Sequence, residues 1–193
     1  LGAALGRSVV VENIPGASGQ IAGERVARAT PDGATLLLDA SSFAVNPSLY
    51  PRMAYDSAKA FTPLAVLATF PNVLVCSAGF RVRSVQDLIA MARDKPASVA
   101  YASSGNGSAQ HLAGALFEER ASVQLLHIPY RGGGPAMNDV MAGKVPLFFA
   151  NVASALGHIR AGKLRALAVT SSLRARSLPQ VPTMAEVGVR KYE

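Results

Sequence analysis

Short apolar runs alternate along this chain with stripes of helical spacing, and small polar turns separate them. The run Val99-Ala-Tyr-Ala102 breaks at Gly105 and Gly107, then resumes with Ala109, Leu112, Ala113 and Leu116. Those four stand at i, i+3, i+4 and i+7, one face of a helix. The pattern predicts strand, glycine turn, helix, and it recurs downstream. Residues 123–128 read as a strand, Pro129-Tyr-Arg-Gly-Gly-Gly-Pro135 as a second glycine turn, and Met137, Val140 and Met141 as the inner face of a helix stopped by Gly143. Residues 145–150 predict another strand, 151–154 a polar turn, 155–161 a helix and 164–169 a last strand.

Upstream, residues 1–7 read as the tail of a helix, 8–12 as a strand, 21–29 as a helix ended by Pro31-Asp-Gly33, and 35–39 as a short buried strand. Prolines make 46–51 irregular, and 64–75 hold two strands or one bent strand. Ser84 and Asp87 have the spacing of a capping box ahead of a helix carrying Leu88, Ile89 and Ala92; Thr183 and Glu186 repeat that spacing. Strands alternating with helices imply α/β architecture with mostly parallel sheets flanked by helices. Ligands then bind beyond the carboxyl ends of the strands.

Four turns qualify for that position: 40–42, 103–108, 130–134 and 150–154. They offer Ser41, Ser42, Ser104, Gly105, Asn106, Gly107, Ser108, Tyr130, Gly132, Asn151 and Ser154, with Arg131 the lone charge. A glycine turn opening a helix aims backbone N–H groups at one spot, at the positive end of the helix dipole, which suits a carboxylate or phosphate. This is a binding cleft without evident catalytic machinery.

Composition narrows the chemistry. Half of the 193 residues are hydrophobic and only 16% are charged, as in a globular protein with a substantial core. The net charge of +7 comes from Lys and Arg scattered singly, a solvated basic surface and not a nucleic-acid site. The single cysteine, Cys76, lies in an apolar run and reads as an inert buried thiol. His111, His127 and His158 lack metal-ligand spacing. His111 follows the glycine turn and is either a ligand contact or an ordinary helix histidine.

Gly105 and Gly107 supply two glycines of a dinucleotide fingerprint, but Gln110 stands where the third belongs, and no Walker loop occurs. Carboxylate binding therefore ranks above nucleotide binding and no cofactor is expected. An α/β enzyme with a phosphate-bearing cofactor at 105–108, or a sensory module on the same fold, remain the rival readings.

Eight segments carry a resemblance: Glu12-Asn-Ile-Pro-Gly-Ala-Ser-Gly19, Pro31-Asp-Gly-Ala-Thr-Leu-Leu38, Asn46-Pro-Ser-Leu-Tyr50, Tyr101-Ala-Ser-Ser-Gly-Asn-Gly-Ser108, His111-Leu-Ala-Gly114, Pro129-Tyr-Arg-Gly132, Ala161-Gly-Lys-Leu-Arg-Ala-Leu-Ala-Val169 and Pro179-Gln-Val-Pro-Thr183. In that order they resemble the Bug family, extracytoplasmic solute receptors of tripartite tricarboxylate transporters. The resemblance implies a two-lobed periplasmic binding protein of type II, a non-enzyme that captures a small carboxylate between its lobes for the membrane subunits of a transporter. It further implies that main-chain groups, hydroxyls and waters hold the carboxylate. It places one lobe at 1–97 with 170–193 returning to it, the other at 98–169, and hinges near 98–101 and 169–171. Family members begin with a strand and loop ahead of residue 1 and run on past Glu193, so an incomplete first lobe is expected, and no signal peptide is present.

Overall fold

Residues from Leu1 to Thr62 form one unit of the structure, and the chain from Pro63 onward forms a second. The structure is a computed structural model and describes residues 1–192. The first unit holds three helices, α1 (Gly2–Leu5), α2 (Gln20–Ala27) and α3 (Ser42–Leu49), with a 3-10 turn at Ala17–Gly19. α3 replaces the irregular stretch expected at 46–51, with Pro47 inside it. Tertiary contacts outweigh the proline there. The buried Asn46 donates from Nδ2 to Ser18 O (2.9 Å), and Phe43 packs edge-on against Phe61 (5.1 Å), which meets Tyr55 in the same way (5.3 Å).

The strands expected at 8–12 and 35–39 do not form. Val10, Val11 and Leu38 are 81%, 79% and 80% exposed, and no strand occurs among the described residues of this unit. An apolar run becomes a strand only where neighbouring backbone satisfies its N–H and C=O groups, and these runs have no such ladder.

The second unit contains β1 (Asn72–Ser77), α4 (Val85–Asp94), β2 (Ala100–Ser103), α5 (Ala109–Ala121), β3 (Leu126–Pro129), α6 (Gly133–Met141), β4 (Leu147–Asn151), α7 (Val152–Arg160) and β5 (Leu164–Val169). Its sheet has the order β3-β2-β4-β1-β5. β2 pairs in parallel with β3 and β4, whereas β1 runs antiparallel to β4 and β5, so the sheet is mixed. Only the second half of the apolar stretch 64–75 reaches it; Leu64, Val66 and Leu67 stay exposed.

β1 and α4, expected in the first lobe, belong to this sheet and this unit. The same holds for the segment after β5: Leu178, Val181, Met184, Val189 and Tyr192 are buried in its cores, and Val169 bridges Thr183. The hinge expected near 98–101 falls inside the sheet, at the start of β2. What decides these placements is non-local backbone pairing, which sequence periodicity does not encode.

Helices cover both faces. One core joins Leu74, Cys76, Leu88, Tyr101, Phe117, Leu147 and Phe149; the other joins Val73, Val75, Met137, Val140, Phe148, Val152 and Val169. Each fully buried large side chain stabilises the fold by roughly 1.5–3 kcal/mol. The Ser84–Asp87 capping box forms with both reciprocal bonds and starts α4. Thr183 and Glu186 exchange the same pair of bonds, but only a turn follows.

The fully buried residues of α5 are Gly114, Phe117 and Ala121; of the expected 109–112–113–116 face, Ala113 and Leu116 pack half-buried against the same core, and the Tyr101 ring occupies the space beside Gly114. A side chain on Gly114 would overlap that ring. Gly114→Ala should therefore lower stability by about 1–3 kcal/mol in chemical unfolding. An unchanged unfolding midpoint would show that the tyrosine can move aside at no cost.

Candidate functional site

Parallel pairing sends β2, β3 and β4 out at one edge of the sheet, and a helix begins just beyond each of them. The turns 103–108, 130–134 and 151–154 therefore share that edge. None of α5, α6 and α7 has an acidic residue in its first turn. The edge thus gathers three positive helix ends and no opposing carboxylate next to them. β1 starts at the same edge: Asn72 pairs with Asn151, and its N–H and C=O both bond to the Thr170 hydroxyl, at 3.0 and 3.1 Å.

The first turn is held from within. Gly105 (φ 131) and Gly107 (φ 76) take backbone conformations that favour glycine. Ser108 caps α5: its Oγ accepts from His111 N–H (3.3 Å) and donates to Gly105 O (2.7 Å). Ser104 Oγ donates to Gln110 Oε1 at 2.7 Å. Gly105 N–H donates to Ser103 Oγ (3.1 Å), and Gly107 N–H donates to His111 Nδ1 (3.0 Å).

This corrects one expectation: the N–H groups of Gly105 and Gly107 are engaged by the protein's own side chains. The donors left open are the first-turn N–H groups of α5 at Ala109 and Gln110, which no helix satisfies internally. Sequence reasoning passed over both, although the strand–turn–helix pattern marked the helix start.

The second turn is tied to the first, with Tyr130 N–H donating to Ser103 O (3.0 Å) and Gly132 N–H to Ser104 O (3.2 Å). Gly132 (φ 108) begins α6, which has no side-chain cap, and a Cβ built on Gly133 or Gly134 meets nothing within 4 Å. Tyr130 donates its hydroxyl to Asp139 Oδ2 (2.9 Å), so that group is committed. Lys144 and then Tyr130 hold the Asp139 carboxyl below its usual range. Arg131 is exposed and enters no ion pair among the described residues.

Asn151 caps α7, its Oδ1 accepting from Ala153 N–H at 2.9 Å, and Ser154 is exposed on that helix. Asn106 is exposed at the tip of the first turn. Ser41 and Ser42 lie in the first unit at the start of α3, where Ser42 Oγ donates to Asp39 Oδ1 (3.2 Å). Of the predicted residues, the structure therefore gathers those from Ser104 to Ser154 along one edge. Two surface hollows of about 300 and 370 Å³ share Phe80 and Pro146 in their walls, at the opposite end of the sheet, and contain none of the predicted residues.

Behind the turn lies a ring stack. His127 sits across from Tyr101 in the β2–β3 register, with ring centroids 5.0 Å apart. His111 stacks on it at 4.1 Å and 16°. Ser103 Oγ lies 2.6 Å from His127 Nε2. Burial, reinforced by the neighbouring His111, pushes His127 down from 6.5 to about 4. Burial also lowers His111, against the pull of Glu118. Buried Cys76 has its thiol pushed up by burial, as befits an inert core residue.

The α/β sheet thus presents helix N-termini and small polar side chains along one edge. Comparison with known proteins supplies the class. The family model for the tripartite tricarboxylate transporter family receptor matches residues 1–193, and the chain belongs to that family. Its members are solute-binding receptors, not enzymes. The chain is 43% identical over 182 residues to the UPF0065 protein in the tcbD-tcbE intergenic region of Pseudomonas sp. (strain P51), covering 94% of this chain and 54% of that protein. It therefore spans about half the length of such relatives.

Among solved structures, Rpa4515 of R. palustris with adipate superposes with a TM-score of 0.95 at 38% identity, covering all of this chain and 64% of that one. The periplasmic binding protein BugD gives 0.93 at 36% identity with the same coverage. MatC (Rpa3494) from Rhodopseudomonas palustris, with bound malate, gives 0.89 at 28% identity, covering all of this chain and 66% of that one.

The histidine stack carries a pH signature. A ring whose folded-state pKa is depressed contributes stability that is present in full above its unfolded value, about 6.5, and lost as pH falls toward about 4. The melting temperature should therefore drop between those limits. His127→Phe, which keeps the stack and removes the charge, should flatten the drop; an unaltered pH profile would remove His127 as its source.

Proposed function

We propose that this chain forms part of a periplasmic receptor that captures a small dicarboxylate and delivers it to the membrane subunits of a tripartite tricarboxylate transporter. One observation carries the ligand class: three helix N-termini free of acidic residues converge at the edge where β2, β3 and β4 end. Such an edge binds carboxylate through N–H dipoles without a fixed cationic clamp. Two relatives of the same fold hold adipate and malate, which supports reading the anion as a dicarboxylate.

One carboxylate end is assigned to the open N–H groups of Ala109 and Gln110; the Ser104 and Ser108 hydroxyls beside them donate to Gln110 Oε1 and Gly105 O and hold the turn in shape. Gly132 and Gly133 at the uncapped start of α6, together with Asn151 and Ser154, line the rest of the edge. Arg131 steers the anion from the rim. His111 acts from behind the turn. The hinge proposed near 169–171 lies where Thr170 grips Asn72. Among the described residues no helix is long and apolar enough to cross a membrane.

Adipate, malate, a monocarboxylate and a nucleotide, each added to the 193-residue chain, test this reading in a thermal-shift series. Binding to the folded state raises stability by about 2.7 kcal/mol at a hundredfold excess over Kd. A shift with the dicarboxylates and none with the nucleotide is expected. Gly133→Val fills open space without a clash and should weaken dicarboxylate binding by about tenfold or more, equivalent to about 1.4 kcal/mol, while leaving the ligand-free melting temperature within a few degrees. Gly107→Val forces a branched side chain into left-handed backbone and should abolish the shift. Equal shifts in wild type and both variants would overturn the site.

A further inference from the structure

The two histidines lie behind the glycine turn, and both touch what shapes it. Gly107 N–H donates to His111 Nδ1, and Gly105 N–H donates to Ser103 Oγ, which in turn lies against His127 Nε2. Both turn glycines are thus anchored to one layer, Ser103–His127–His111, whose rings stack in contact. Nδ1 accepts a hydrogen bond only when it carries no proton. The Gly107 bond therefore fixes His111 as the neutral tautomer with its proton on Nε2.

We propose that His111 is a positioning residue whose neutral form holds the 105–108 turn in its binding shape, so that dicarboxylate affinity falls as His111 takes up a proton. This inference rests on the carboxylate reading of the site. Protonation would place an N–H of His111 against the N–H of Gly107. The turn would then lose the bond that sets the backbone ahead of Ser108, and the capped start of α5 would shift with it.

The groups facing the pair from the surrounding elements are few. Glu118 lies on α5 and accepts from Leu125 N–H (2.7 Å); it favours the charged imidazole. Tyr101 on β2 stacks on His127 and directs its hydroxyl at His111 O (3.5 Å). Tyr192 directs its own at Ala113 O. Burial and the close His127 ring oppose the charge. Only one of two rings stacked at 4.1 Å can readily be charged, so the pair responds as a unit.

The test compares wild type with two substitutions. His111→Asn keeps a side-chain acceptor of similar reach but cannot titrate; His111→Leu removes the acceptor. Adipate affinity is measured by calorimetry from about pH 8 to about pH 4, a range that runs below ordinary histidine titration because burial lowers His111. For wild type, Kd should rise as pH falls, approaching tenfold per pH unit below the pKa of His111. His111→Asn should bind near wild-type strength at the upper end and lack that component, and His111→Leu should bind weakly throughout. Protonation of adipate itself is common to all three and cancels in the comparison.

A second arm needs no ligand. The amide resonance of Gly107 should move with the titration of His111 in wild type and stand still in His111→Asn. Identical pH profiles in the three proteins, or a Gly107 amide indifferent to pH, overturn the proposal. Absence of adipate binding in wild type would overturn the carboxylate reading, and the Gly107 amide would still decide the role of His111.

Discussion

Insertion of β1 between β4 and β5 is the constraint on which the second unit depends. Its residues alternate between the two cores, Val73 and Val75 facing one and Leu74 and Cys76 the other, all fully buried. Its backbone satisfies β4 on one side and β5 on the other. Removing it would orphan two ladders and open both cores at once, since an unpaired buried backbone group costs about as much as a lost hydrogen bond. Its antiparallel direction also shapes the edge where the predicted turns gather. Running against β4, it delivers Asn72 beside Asn151 and Thr170, where α7 begins.

The first unit has no strand among its described residues. Its runs at 8–12 and 35–39 have the composition of strands and stand in the open. The buried side-chain polar atoms without a partner among the described residues, Asn46 Oδ1, Tyr55 Oη and Ser57 Oγ, all lie in this unit. Packing there rests on α2, α3 and a small aromatic cluster.

What could be read from the sequence was local. The Ser84–Asp87 box, the bounds of β5 and the glycine turn at 105–108 each follow from a few adjacent residues, and each is present. The parallel neighbours β2, β3 and β4 followed from strand–helix alternation, and with them the edge that collects the predicted turns. Pairings between distant residues were not legible. β1 gives no sign of its antiparallel direction, and α5 fully buries Gly114 and Phe117, with Tyr101 of another strand beside Gly114. The stack of His111 on His127 is likewise absent from any spacing rule. It exists only because Tyr101 and His127 share a register across β2 and β3.

That the glycine N–H groups bond internally changes how the edge would recognise an anion on the proposed reading. A loop whose every donor points outward has no internal partner for its backbone and is ordered only by its ligand. Here Ser103 and His111 consume two donors to fix the turn, and on the proposed reading a carboxylate is left the first-turn donors of α5, already aligned with the helix dipole. Fewer donors held in place can bind as well as more donors that must first be ordered, because the entropy of ordering is met on folding instead of on binding. On the proposed reading, release of the ligand gains from this arrangement as well. A few hydrogen bonds from neutral groups, with no buried ion pair, leave no stranded charge behind when the anion departs.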